Sequence, residues 1–270
     1  MNKKLYIALV AVIVLVAVAL IVTSTDNAGN QKLAAQIGQR VPQSVLSQMN
    51  IPNSVSNKIG IGSVSYFPQV VSPAKPMTNG TKPMIVYLGA EYCPYCAITR
   101  WGLIIALMKF GTFSNLHYMA SSSTDVFPNT PTFSFYNATY SSNYISFIAV
   151  ETQTRNKTAL QIPTAFENNL FTVYNLDNTA LPPNQRGGIP FIDFANQSLT
   201  LEAPELPQIL QGQTWNTVLA NLTATNSSDS QALVGSADLF TAQICMITNN
   251  TPSDVCNQPY VANIQHAYLG

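Results

Sequence analysis

Two cysteines separated by two residues, Cys93-Pro94-Tyr95-Cys96, are the side chains of this sequence best placed to do chemistry. A cysteine attacks as its thiolate, and at the first turn of a helix that form gains from free backbone N–H groups and the positive end of the helix dipole. Cys93 takes this place if a helix begins at Pro94, where a missing N–H costs nothing. Cys96, nearly one turn further, lies on the same helix face and can displace a mixed disulfide formed at Cys93. Tyr95 is then partly exposed beside the attacking sulfur. The nearest basic side chain, Arg100, is about two turns away, so local sequence supplies no strong cationic activator.

The elements needed to hold such a pair are legible on both sides of it. Met84 to Gly89 is a short apolar, β-prone run that reads as a buried strand leading straight into the cysteines. Ala97 to Phe110 is apolar, lacks proline and ends at Gly111, which predicts a buried helix with a glycine stop. Leu116 to Ala120 reads as the next strand, so the expected unit is βαβ with a parallel pair. Residues 121–185 are less regular and read as a large insertion, with strands at Phe133 to Tyr136 and Tyr144 to Val150 and a helix at Thr164 to Tyr174. Gly188-Ile189-Pro190-Phe191 restarts the β pattern, Leu199 to Leu201 supplies its partner across an Asn-Gln-Ser turn, and helices are expected at Gln213 to Leu222 and Asp238 to Ile247.

Strand, then Gly89-Ala90-Glu91-Tyr92-Cys93-Pro94-Tyr95-Cys96, then helix, resembles the active-site segment of the thioredoxin superfamily, with the inner dipeptide of glutaredoxins. The resemblance implies an α/β fold with a thioredoxin-like central sheet and flanking helices, and it makes Cys93 the nucleophile and Cys96 the resolving thiol. It also implies that Ile189-Pro190 is the cis X-Pro element of that superfamily, turned toward the dithiol, where with Tyr95 it pairs a bound client peptide. With Ser121-Ser122-Ser123-Thr124-Asp125 and Thr132-Phe133-Ser134-Phe135 after the dithiol helix, the chain is more closely similar to an uncharacterised archaeal family of membrane-anchored thioredoxin-like proteins. Two positions depart from the superfamily pattern: Tyr92 stands where thioredoxins usually have Trp, and no counterpart of their buried acid can be picked out.

Lys3 and Lys4 precede an uncharged run from Leu5 to Val22, which at helical rise spans roughly 27 Å. Residues 1–25 therefore read as a transmembrane anchor or signal segment, with a single-pass anchor at 5–22 favoured by the lack of an Ala-x-Ala cleavage pattern and the remainder extracytoplasmic. Residues 26–82, rich in Gln, Asn, Ser and Pro, read as a stalk and approach segment, and 83–270 as the main domain. Charged residues are only 9% of the chain and balance at 12 basic and 12 acidic, which removes any case for a nucleic-acid partner. Seven Asn-x-Ser/Thr sequons, at Asn79, Asn137, Asn156, Asn196, Asn221, Asn226 and Asn249, point to a glycosylated surface.

Cys245 and Cys256 are expected to form a structural disulfide, because an exported chain with an even cysteine count rarely leaves two thiols free and Asn249, Asn250, Thr251 and Pro252 readily form a turn between them. A four-thiolate zinc site and a second redox pair relaying electrons to Cys93 and Cys96 are the rival uses. The ten-residue gap is not a zinc knuckle, so neither metal nor cofactor is expected. His117 and His266 are isolated. Asp125, Asp193, Glu202 and Glu205 are scattered acids that form no catalytic pair. The expected function is extracytoplasmic thiol-disulfide exchange with protein thiols or disulfides as clients; the alternative is a cell-surface binding or structural protein with a non-catalytic disulfide.

Overall fold

The computed structural model describes residues 33–71 and 75–269. The chain divides into two units, Met1–Ile37 and Gly38–Gly270, and of the first, residues 33–36 form a helical turn. The second unit carries α1 (Gln43–Gln48), α2 (Asn53–Ile59), β1 (Gln69–Val70), β2 (Thr78–Asn79), β3 (Lys82–Gly89), α3 (Pro94–Met108), β4 (Gly111–Ser114) and β5 (His117–Ala120). There follow β6 (Pro131–Ser134), β7 (Thr139–Ser142), β8 (Ser146–Glu151), α4 (Ala165–Phe171), β9 (Phe191–Phe194), β10 (Ser198–Thr200), α5 (Trp215–Asn221), α6 (Gly235–Ile247), α7 (Ser253–Cys256) and α8 (Pro259–Ile264).

Strand β3 runs through the centre because both of its faces are apolar: Met84, Ile85, Val86, Tyr87 and Leu88 are all buried. It pairs in parallel with β8, from Met84 opposite Ser146 to Gly89 opposite Glu151, and antiparallel with β9, from Ile85 opposite Phe194 to Leu88 opposite Phe191. Strands β10 and β1 extend the sheet beyond β9. The β9–β10 turn is made by Ala195 and Asn196, both at positive φ.

Helix α3 has no polar face; within it only Tyr95 and Met108 escape full burial. It is therefore covered on all sides. Helix α6 packs so closely that a Cβ on Gly102 would lie 2.8 Å from that of Ser236, which is why a glycine sits mid-helix. The β5–β6 hairpin covers another side: Trp101 Nε1 donates to the Pro131 carbonyl at 2.8 Å and Thr132 Oγ1 to that of Ala97 at 2.7 Å.

The fold expected from the sequence, a thioredoxin-like sheet with a large insertion plus an N-terminal transmembrane helix, needs correction. The described residues form a mixed α/β structure with a six-stranded sheet and two two-stranded sheets, and none of their helices is long and apolar enough to cross a membrane. The expected span at 5–22 lies outside the described residues. The strand expected at Leu116 to Ala120 does not continue the central sheet; β5 pairs antiparallel with β6 in a separate hairpin. The parallel neighbour of β3 is β8, so residues 121–185 contain a central strand as well as peripheral structure. Of the stalk expected at 26–82, residues 26–32 and 72–74 lie outside the described residues, and 38–71 and 75–82 are not a stalk: β1 closes one edge of the main sheet against β10, and Ser63 N–H donates to the Gln231 carbonyl at 3.1 Å.

Candidate functional site

The dithiol lies where the end of β3 turns into α3. Cys93 is the N-cap of that helix in extended conformation, Pro94 follows in its first turn, and the Cys96 backbone N–H donates to Cys93 Sγ at 3.4 Å. Cys93 Sγ in turn donates to the Ile189 carbonyl at 3.8 Å. The Ile189–Pro190 bond is cis, and Ile189 sits on the segment that enters β9. Tyr95 is half-buried and meets Phe127 edge to face at 6.0 Å. Cys93 and Cys96 are unbridged.

The two thiols differ in environment although three residues apart. Cys93 is 5% exposed and Cys96 not at all, so whatever reaches the pair reaches Cys93 first. Hydrogen bonding from Cys96 to the Cys93 sulfur holds its thiol below the usual cysteine value, outweighing burial. Burial pushes the Cys96 thiol well up, with the neighbouring Cys93 adding to the effect. One thiol is prepared to ionise and the other to stay protonated.

Beneath Cys96 lies a polar floor that local sequence did not reveal. Arg100, on the buried helix, donates from Nε and Nη2 to Glu151 at 2.8 and 2.7 Å, and Nη2 also reaches the Ala90 carbonyl at 2.6 Å. Both side chains are fully buried. Burial pushes the Glu151 carboxyl up and Arg100 opposes it; the two short, bidentate bonds and a guanidinium that does not deprotonate make this an ion pair. Tyr87 completes the floor. Its hydroxyl is buried without a well-formed hydrogen bond and lies against the Cys96 thiol; burial pushes it well up, Arg100 offsets part, and Cys96 adds to the rise. The Arg100 guanidinium sits 5.9 Å from the Tyr87 ring centroid.

Of these, the sequence singles out only Arg100, as a cation about two turns from Cys93. Glu151 ends an apolar β run 55 residues after Cys96, and its signal was being an acid on such a run in a chain with few charges. The other expected residues have separate fates. Cys245 and Cys256 are joined to each other with an S–S distance of 2.03 Å, so the four cysteines do not converge. Among the described residues no cluster of three or more His, Cys, Asp or Glu could hold a metal ion. His117 is half-buried on β5 and His266 exposed. Of the sequon asparagines, Asn196 and Asn221 are partly buried, Asn221 Nδ2 donating to Asp229 at 2.8 Å, whereas the other five are exposed.

No curated protein and no solved structure matches the chain. A family model described as a domain of unknown function, DUF929, matches residues 68–246, a span that holds the central sheet, the dithiol, the Arg100–Glu151 pair and Ile189-Pro190. On that match, which takes in well over half of its length, the chain belongs to the DUF929 family.

Proposed function

We propose that the protein is a thiol-disulfide oxidoreductase acting on protein clients, with Cys93 as nucleophile and Cys96 as resolving thiol. The observation that carries this reading is the unequal preparation of the two thiols: Cys93 caps α3, accepts the Cys96 N–H and is lowered, while Cys96 is buried and raised. That asymmetry is what sequential exchange requires. The Cys93 thiolate attacks one sulfur of a client disulfide; the client S–S bond breaks, and the departing sulfur leaves as a thiolate and takes up a proton. Cys96 then gives up its proton and attacks Cys93 Sγ, which forms the Cys93–Cys96 disulfide and releases the second client sulfur. Two electrons pass from the dithiol to the client, and the reverse sequence delivers a disulfide to a client dithiol. The strand–dithiol–helix order and the Ile189 carbonyl facing Cys93 support kinship with the thioredoxin superfamily. The Cys245–Cys256 disulfide supports an oxidising, extracytoplasmic setting.

The test is exchange by the full chain with 2-hydroxyethyl disulfide and with insulin. Activity is expected with both, abolished by Cys93→Ser, while Cys96→Ser accumulates a covalent client adduct. The low exposure of Cys93 favours one rival, a binding protein whose dithiol is inert. Absence of exchange with both substrates would overturn the oxidoreductase reading.

A further inference from the structure

A groove that begins beside the dithiol has a one-sided composition. Two adjoining cavities of about 290 and 330 Å³ share Tyr66, Gln185, Leu201 and Glu202 in their walls. The nearer one begins at Tyr95 and Ile189, the residues flanking the Cys93 sulfur, and the farther one ends at Phe67. Apolar surface lies along it: Tyr66 and Phe67 are each 45% exposed and Leu206 36%. Phe67 is held in place by stacking on Tyr268, with ring centroids 4.4 Å apart. Among the described residues the groove walls carry one charged side chain, Glu202, half-buried, in both cavities, and with no hydrogen bond or ion pair to any of the others. No described lysine or arginine lines either cavity.

We propose that this groove selects clients, and that its occupant is an extended polypeptide whose reactive cysteine lies next to an apolar side chain and a lysine or arginine. The inference rests on the dithiol reading and specifies its substrate class. An occupant of the groove that reaches Cys93 must pass Ile189 and Tyr95, so the sulfur it presents fixes its register. An apolar side chain then meets Leu201, Tyr66 and Leu206, where burial of carbon surface favours binding. A cation at the next wall position meets Glu202, whose carboxylate is already partly removed from water and has no partner to give up among the described residues. An anion there is opposed by the same charge. A second copy of this chain is a poorer occupant, since it would have to bring a basic segment from a surface with few charges.

The test compares peptides carrying a cysteine capped as a mixed disulfide and followed by Leu-Lys, Leu-Gln or Leu-Glu, with uncharged 2-hydroxyethyl disulfide as a reference too small to fill the groove. For the full chain, kcat/KM is expected to fall in the order Lys, Gln, Glu, with about fivefold between the ends, the scale of a half-exposed ion pair. Glu202→Gln should bring the three within about twofold, and Glu202→Lys should reverse the order. Rates with 2-hydroxyethyl disulfide should not change. A Lys-to-Glu ratio that survives Glu202→Gln, or no preference in the unsubstituted protein, overturns the groove inference while leaving the dithiol reading standing. If the unsubstituted protein does not exchange even the small disulfide, the dithiol reading falls, and the groove is judged by fluorescence anisotropy of the same peptides with serine for cysteine. A preference for Lys there supports it, and equal binding or none overturns it.

Discussion

Arg100 and Glu151 face each other beneath the dithiol as a fully buried, bidentate pair, one from the helix that starts at the cysteines and the other from the last residue of the parallel strand beside β3. Glu151 also lies within reach of the Phe135 backbone N–H at 3.5 Å, so its carboxylate ties α3, β8 and the segment after β6 together. Removing one member strands a buried charge. Glu151→Gln is expected to lower stability by about 3–5 kcal/mol. The double substitution Arg100→Met, Glu151→Leu should recover most of that loss. Urea denaturation of the single and double variants checks both, and a double variant as unstable as the single would show that the charge pair is not the cause.

Tyr87 is expected to act on the second half of exchange. Its buried hydroxyl faces the thiol that must lose a proton, and as a donor to the sulfur it favours the thiolate form of Cys96. Tyr87→Phe should slow release from the mixed disulfide about tenfold while leaving the first attack, followed by alkylation of Cys93 with iodoacetamide, within about twofold. Because the hydroxyl is poorly satisfied, the variant should be no less stable than the parent. Equal slowing of both steps would reassign Tyr87 to packing.

Cys93 alkylation should follow its lowered thiol. The thiolate fraction rises as pH increases through the pKa, so the midpoint of the rate profile is expected below that of an unperturbed cysteine peptide followed alongside. Cys96 should stay unmodified across the same range, because burial keeps it protonated. A midpoint at or above the ordinary value would remove the electrostatic basis for making Cys93 the nucleophile.

The Cys245–Cys256 bridge closes a loop of 11 residues between α6 and α7. Chain entropy assigns a loop of this size about 3 kcal/mol. Cys245→Ser with Cys256→Ser is expected to lower the stability of the full chain by about that amount without changing the rate with 2-hydroxyethyl disulfide. A reductant that keeps Cys93 and Cys96 as thiols should leave the bridge intact by peptide mapping. Loss of exchange activity in the serine pair would instead make the second cysteines a relay.

Asp193 lies buried on β9; one carboxylate oxygen accepts the Asn196 N–H at 2.7 Å and the other has no hydrogen-bond partner among the described residues. Burial pushes its carboxyl up to about 6. A folded value above the unfolded one means that its contribution is fully present below about pH 3.9 and is lost as pH rises through about 6. Asp193→Asn keeps the acceptor for Asn196 and removes the charge, so the variant should gain about 1–3 kcal/mol over the parent at pH 7.5 and much less at pH 4. Thermal melts at the two pH values decide it, and an equal effect at both would rule out titration of Asp193 as the cause.

Local rules determined a good part of this protein. A cysteine pair ahead of an apolar run dictates a capped helix, and Met84 to Gly89, Phe191 to Phe194 and the helix ending at Ile247 lie near where propensity and apolar pattern put them. These depend on neighbours within a turn or two of chain. What tertiary structure alone decided is which segments meet. His117–Ala120 and Ser146–Glu151 are both short β-prone runs after the same helix, and no local signal distinguishes a strand that joins the central sheet from one that forms a hairpin upon the helix. Packing made that choice, since Trp101 and Ala97 of the largely buried helix take their hydrogen-bond partners from the β6 strand of the hairpin and leave β8 to pair with β3. The same choice carried Glu151 under the cysteines and brought Glu202 into the groove with Tyr66. Neither acid can be assigned a role along the sequence, because a charge acts on whatever lies within a few ångströms in space, and only the folded chain determines what that is.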